Sequence, residues 1–220
     1  MLMIDSEIKQ AIREEKIVMQ NYSEDQVQPS SYDMRIGDRA ILSGNEKEID
    51  IKKEKGIIIR PGCFAIITTY ENIRMPNDIT GHIGVKSYYT RKGLILLAGL
   101  QIDPGFSGVL VLGMYNASPR KLTLDYLTPF CTIEFHKLSG PVERPYATST
   151  EQKRGEIPRM DKDYLRTIET QSLSDLSESL RTLTVDVSSL TKTMNKFVVP
   201  ILIGIAIAIG AAIVKAILGL

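Results

Sequence analysis

From Phe197 to Val214 the chain carries no charged residue, reading FVVPILIGIAIAIGAAIV. As a helix at about 1.5 Å per residue the run is about 27 Å long, close to the hydrocarbon thickness of a bilayer. This predicts a transmembrane helix, because the buried helix of a soluble core is usually shorter and patterned. Lys192 and Lys196 precede the run and Lys215 follows it. By the positive-inside asymmetry the preceding side faces the cytoplasm, and Lys215 snorkels at the far interface. The expectation is a single-pass tail anchor over 198–220. MLMIDSEIKQ has no basic stretch followed by an apolar one, so no secretory signal is expected.

Ahead of the anchor, Leu173, Leu176, Leu180, Leu183, Val187, Leu190, Met194 and Phe197 recur with strict 3-4 spacing among Ser, Thr, Asp, Glu and Lys. An apolar seam that narrow predicts a coiled coil over 171–197 rather than a helix packed on its own domain. Backward extension fails at Arg166 and Glu169, so the preceding stretch reads as a linker from about Pro145 to Thr170. Forward, the same register reaches Ile201, Gly204, Ala208, Ala211 and Lys215. Small residues there would let membrane helices approach closely. They would also bring the lysines of associated chains near one axis.

Residues 1–145 read as a compact β domain. Asp5 or Ser6 is placed to cap a short helix over SEIKQAIREEKI. Eight apolar or β-branched runs follow: AILS, GIIIR, CFAIITTY, ITGHIGV, GLILLAG, GVLVLGMY, KLTL and CTIEFH. The separators RPG, MPND, DPG and NASP are turn chemistry. Many short strands at regular spacing predict a sandwich or barrel. No Gly-rich strand-to-helix loop is present, which argues against dinucleotide and P-loop folds.

Composition narrows the chemistry. A net charge of +1 argues against nucleic-acid binding, and the absence of Trp with 6% aromatics argues against a base-stacking platform. Cys63 and Cys131 form no CxxC, and His82 and His136 stand far apart in the sequence, so no zinc site is expected. Both cysteines fit buried strand positions, and both histidines read as satisfied structural residues. Asp33 in SYDMRIG reads as a buried turn carboxylate or a site residue.

The densest polar stretch is VKSYYTRKG, followed by LQIDPGFSG. Lys86, Ser87, Arg91 and Lys92 lie close together there. Cationic and hydroxyl donors at that density suit a triphosphate, although a solvated loop has the same composition. Asp103 before Pro104-Gly105 is a turn residue or a site carboxylate.

These stretches, together with MIDSEIKQAI, QPSSYDMRIG, RPGCFAIITTYENIRMPNDITG, QIDPGFSGVLVLGMYN, LSGPVERPY and RMDKD, carry a family resemblance over about residues 1–163. The chain resembles the dCTP deaminase branch of the dUTPase-like superfamily. The resemblance implies a distorted β-barrel or jelly roll, a homotrimer with nucleotide sites at subunit interfaces, and magnesium carried on the triphosphate of a pyrimidine deoxynucleotide. It implies that Lys86, Ser87 and Arg91 bind phosphates, although the family usually has Arg at position 86 and a second Ser at Tyr88. It assigns Asp103 to the deoxyribose and the attacking water. Backbone groups of Val111 and Leu112 would read the base, and Tyr146 and Lys153 would close a lid within 146–170.

One departure bears on activity. The family's deaminase moves a proton with a Glu in the strand after DPGFSG, and Gly113 occupies that place here. Losing a positioned acid/base typically costs 10²–10⁴-fold. Ile157 stands where the lid has a base-reading Gln, and LTPFCTIEFH lacks the Gln of the dUTPases' fourth motif. The expectation is a membrane-anchored, deaminase-deficient nucleotide sensor. The alternative is an active dCTP deaminase or dUTP diphosphatase that makes dUTP or dUMP.

Overall fold

The computed structural model describes residues 1–44, 47–148, 150–159, 161, 163 and 173–218. It divides into Met1–Ser172 and Leu173–Leu220.

In the first unit the strands are β1 (Val18–Gln20), β2 (Val27–Gln28), β3 (Ser31–Leu42), β4 (Ile49–Asp50), β5 (Gly56–Ile59) and β6 (Phe64–Arg74). After them come β7 (Ile79–Val85), β8 (Leu94–Leu96), β9 (Gln101–Ile102), β10 (Ser107–Asn116), β11 (Leu122–Asp125) and β12 (Pro129–Lys137). Short helices α1 (Asp5–Arg13), α2 (Ile51–Glu54), α3 (Ser87–Thr90) and α4 (Thr150–Lys153) interrupt them. A curled sheet runs β8-β10-β6-β3-β12-β7-β9, and β11 pairs with β5 separately. The mainly-β fold expected from the sequence is therefore present.

Each element follows from local chemistry. In β10, Leu112, Met114 and Asn116 turn inward while Val111, Gly113 and Tyr115 alternate to the outer face. The core gathers Tyr32, Met34, Ile36, Ile67, Phe130 and Phe135, with Ile8 of α1 closing one end. Asn116 ends β10 by accepting from the Ser118 N–H (2.9 Å), and its amide donates to the Ile59 and Arg120 carbonyls (2.9 and 2.7 Å). Gly37 sits at the register shift between β3 and β6, where a Cβ would lie 2.4 Å from the Thr69 carbonyl oxygen. Only glycine lets the two backbones approach that closely.

Several local expectations change. The first residue before α1 is Ile4, and the Glu7 carboxylate accepts its N–H (3.1 Å), so Asp5 and Ser6 lie in the first turn instead of capping it. Asp33 lies within strand β3, near its start, 4% exposed, and is not a turn carboxylate. GLILLAG forms a strand only over Leu94–Leu96. Cys63 is buried but precedes β6, whereas Cys131 lies within β12. His82 and His136 come together, ring centroids 4.5 Å apart, because β7 and β12 pair with Glu134 opposite His82. His82 is exposed, and the buried His136 Nε2 has no hydrogen-bond partner among the described residues; the Glu134 carboxylate stands 3.6 Å away.

Part of the expected linker is built onto the β domain. The Tyr146 N–H donates to the Pro104 carbonyl (2.8 Å), the Ser107 N–H donates to the buried Thr148 hydroxyl (2.7 Å), and α4 packs on β10. Ile157 is 1% exposed against Ile41, Phe64, Ile66 and Val111. Gly105, at φ +87°, makes this docking possible, since a Cβ there would meet the Pro145 Cβ at 2.6 Å. Gly105→Ala is expected to cost about 1–2 kcal/mol from the left-handed backbone alone. It should also free residues 145–148, detected as faster amide exchange at Tyr146 and Thr148. Unchanged exchange there would show that the contact does not hold the segment.

The second unit comprises α5 (Leu173–Thr193), a π turn over Met194–Val198, and α6 (Val199–Leu218). From Leu180 to Phe197 the seam residues Leu180, Leu183, Val187, Leu190, Met194 and Phe197 are each more than half exposed in the single chain. By length and composition, the helical stretch Glu178–Gly210 is long and apolar enough to cross a membrane. Met160 and Lys162 of the RMDKD stretch, and the expected start of the coil at Gln171, lie outside the described residues.

Candidate functional site

The phosphate-type segment is built at the end of β7. The strand stops at Val85, and the Tyr89 and Arg91 N–H groups close one helical turn on the Lys86 and Ser87 carbonyls (2.9 and 3.0 Å). This turn carries Ser87 and Tyr88 outward, buries Tyr89, and leads directly into Arg91. Lys86 forms an ion pair with Asp33 of β3. Asp33 is nearly inaccessible while the Lys86 side chain is one-third exposed, so the buried carboxylate holds an ammonium whose remaining protons reach solvent. Sequence reasoning missed this pairing, because no local pattern links residues 33 and 86. Lys92 sits over the Tyr88 ring (3.8 Å to its centroid), which ties that cation to an aromatic face.

Asp103 occupies the other end of the same strand. β9 pairs with β7 by placing Ile102 opposite Gly81 and Gln101 opposite His82, which puts Asp103 beside Thr80. The Thr80 hydroxyl donates to the Ile102 carbonyl (2.9 Å), and the Gln101 amide donates to the Asp103 carboxylate (2.8 Å). The Phe106 N–H closes the DPGF turn on the Asp103 carbonyl (3.1 Å). From Thr80 to Lys86 is six strand positions, about 20 Å along β7. Along the backbone of one protomer, Lys86 at the start of the cationic turn therefore stands about 20 Å from the Asp103 turn, beyond a nucleotide's phosphate-to-sugar reach.

β10 carries the remaining candidates. Its outer edge is covered by β8 only from Met114 to Asn116, and the Leu97 N–H donates to the Gly113 carbonyl (2.8 Å). By strand alternation, the Val111 peptide groups face the same edge, where no described strand pairs with them. The Leu112 peptide groups face β6, and its side chain is in the core. Tyr146 is exposed with its ring 6.1 Å from that of Phe106, beside the DPGF turn. Lys153 lies in α4 at a polar cleft of about 360 Å³ shared with Asn21, Arg39, Thr68, Asn72 and Arg154. The structure thus clusters Asp103, Tyr146 and the β10–α4 segment, and separates them from the Lys86–Arg91 turn.

Gly113 faces outward, flanked on its own strand by Val111 and Tyr115 and opposite Ile66 of β6. This face is apolar: Phe64 and Tyr115 rings contact at 4.7 Å, and Ile157 packs over Val111 and Ile66. A Cβ at Gly113 would stand 3.1 Å from the Leu97 carbonyl oxygen. Among the described residues no group of three or more His, Cys, Asp or Glu side chains could hold a metal ion.

A curled β domain with a cationic helical turn at one strand end and a carboxylate turn at the other defines the class. Residues 2–138 match the family described as dCTP deaminase-like, and the chain belongs to that family. It is 40% identical over 135 residues to a dCTP deaminase of Pyrococcus abyssi, a match covering 61% of this chain and 85% of that protein. It is 38% identical to one of Thermococcus kodakarensis over 61% of this chain and 84% of that protein. A solved dCTP deaminase of Agrobacterium tumefaciens shares the fold, with a TM-score of 0.52 and 22% identity. That match covers 61% of this chain and 47% of the solved one.

Proposed function

We propose that the chain is a membrane-anchored homotrimer that binds a pyrimidine deoxynucleoside triphosphate without deaminating dCTP, and so reports nucleotide occupancy to its tail. The observation that carries this reading is Gly113 on an apolar face. Its register neighbours Val111, Tyr115 and Ile66 offer no carboxylate to take and return a proton. The divided half-sites support assembly: Arg91 and Asp103 of one protomer stand at opposite ends of β7, so one nucleotide needs the turn of one copy and the carboxylate of another.

In this arrangement the Ser87 hydroxyl, the Arg91 fork and the Lys86 ammonium take the phosphates. The Val111 peptide groups lie at an open edge suited to a base, with Leu112 fixing the strand behind them, and Tyr146 and Lys153 approach from the segment packed on β10. Magnesium would arrive on the triphosphate, where it offsets charge that three cationic or hydroxyl donors do not neutralise. The domain assignment that goes with this reading is a β domain over 1–145, a closing segment over 146–170, a coil over 171–197 and an anchor over 198–220. The alternative of hydrolysis is supported by Asp103, whose carboxylate is engaged by Gln101 beside an accessible turn and remains placed to orient a water.

Full-length protein in detergent, incubated with dCTP, dUTP or dTTP and magnesium, should bind at least one of them and yield no dUTP or dUMP from dCTP. Either product from dCTP overturns the deaminase-deficient reading, and dUMP from dUTP alone establishes the alternative. Gly113→Glu is expected to leave dCTP deamination below detection by product chromatography, because its Cβ presses on the Leu97 carbonyl. Leu97 also belongs to the segment that must give way. Recovered deamination would show that this segment yields and that the rest of the catalytic apparatus is intact.

A further inference from the structure

Within the helical tail the chain changes pitch once. α5 runs to Thr193, one π turn spans Met194–Val198, and α6 resumes at Val199, whose N–H donates to the Met194 carbonyl five residues back. The cause stands next in the sequence. Pro200 has no N–H for the Lys196 carbonyl, and its ring would press on that carbonyl in a regular α-helix. Widening the preceding turn relieves the contact and gives Val199 an acceptor one residue further back than usual.

A π turn holds one more residue than an α turn, so every later position advances by one, about 100° around the axis. In a continuous α-helix the seam of Leu180, Leu183, Val187, Leu190, Met194 and Phe197 would run on to Ile201, Gly204 and Ala208, and then to position 215. With the extra residue, the same line on the helix surface runs on to Leu202, Ile205 and Ile209.

We propose that Pro200 and its π turn act as a phase shifter, so that associated copies of the tail meet through Leu202, Ile205 and Ile209 in the span. The line carrying Gly204, Ala208 and position 215 is turned aside toward lipid. This rests on the reading of the tail as self-associating. The occupant of the span's contact line is a second copy of this chain, because the coil seam that leads into it is a continuous row of large apolar side chains more than half exposed in the single chain. The shift also removes an electrostatic cost. Charges at position 215 on a common axis would repel in a medium that solvates them poorly, a cost that falls when the position is turned off that axis.

The test is oxidative cross-linking of full-length protein in phosphatidylcholine vesicles. Single cysteines are placed at Leu190 and Met194 and at each position from 201 to 209, with the buried Cys63 and Cys131 left in place. Cross-linking should be fast at 190 and 194, fast at 202, 205 and 209, and at least several-fold slower at 201, 204 and 208. Pro200→Ala restores the missing N–H and should move the fast set to 201, 204 and 208 while leaving 190 and 194 unchanged. Fast reaction at 201, 204 and 208 in the Pro200 protein overturns the phase shift, as does a span that never cross-links beside a coil that does. No shift with Pro200→Ala overturns the role given to the proline. Silence at 190 and 194 as well removes the self-association reading, and the inference with it.

Discussion

Mixing Arg91→Ala chains with Asp103→Asn chains, through unfolding and reassembly, is expected to restore tight nucleotide binding that neither variant shows alone. β7 separates the start of the cationic turn from the Asp103 turn by about 20 Å in one protomer, so on the proposed reading each site would take its cationic turn from one copy and its carboxylate from the next. Arg91→Ala removes a charge-assisted bidentate contact, about 1.5–3 kcal/mol or roughly 10–150-fold in affinity. In a closed ring with random 1:1 mixing, about a quarter of interfaces pair an intact turn with an intact carboxylate. Calorimetric titration of the mixture should therefore find about a quarter of the wild-type site number at wild-type affinity. No recovery of tight sites in a mixture that reassembles as a ring would place both residues in one protomer's site and remove the interfacial arrangement.

Arg35→Met is expected to destabilise the β domain by about 3–5 kcal/mol and to lower its melting temperature by roughly 6–20 °C. Glu71 is fully buried on β6, and its carboxylate accepts from the Arg35 Nε (2.6 Å) and from the Arg35 N–H (2.9 Å). Arg35 also lies over the Tyr70 ring, 4.9 Å from its centroid, and donates to the Asn21 carbonyl. Burial pushes the Glu71 carboxyl above its ordinary range, and the bonds from Arg35 pull it back only in part. Without Arg35 the folded-state value rises further above the unfolded one. The penalty is then small below the ordinary carboxylate range and grows as pH rises toward neutrality. Removing both charges, as Arg35→Met with Glu71→Leu, should cost less than Arg35→Met alone, since no uncompensated ion remains. Chemical denaturation at acid and neutral pH measures all three quantities. A loss below about 1 kcal/mol for Arg35→Met at neutral pH would mean that the pair does not hold β3 to β6.

Much of the architecture is legible along the chain. Strands alternate with a period of two, Gly and Pro mark the turns, and an uncharged run followed by a lone Lys marks the apolar helix. Each of these signals is local, and β6, β7, β10 and β12 stand where their sequence patterns put them, while α1 stops at Arg13, short of the expected SEIKQAIREEKI. The boundaries that moved were those where a side chain answers to something distant. Ile4 precedes α1 because Glu7 reaches back to its N–H, and Asp33 is a buried strand residue because Lys86 neutralises it across the sheet.

By itself the sequence determined the β class, the family stretches, a glycine at position 113, and a heptad-spaced segment leading into an apolar helix. The tertiary structure decided what register alone can decide. Strand pairing of β7 with β9 set Lys86 and Asp103 at opposite ends of one strand, and pairing of β7 with β12 brought His82 against His136. The docking of residues 145–148 and 150–157 on the β domain turned Ile157 inward, over the face on which Gly113 opens. A heptad pattern counts residues without counting turns, so the π turn before Pro200, and the change of face that follows it, appears only once the backbone hydrogen bonds are known.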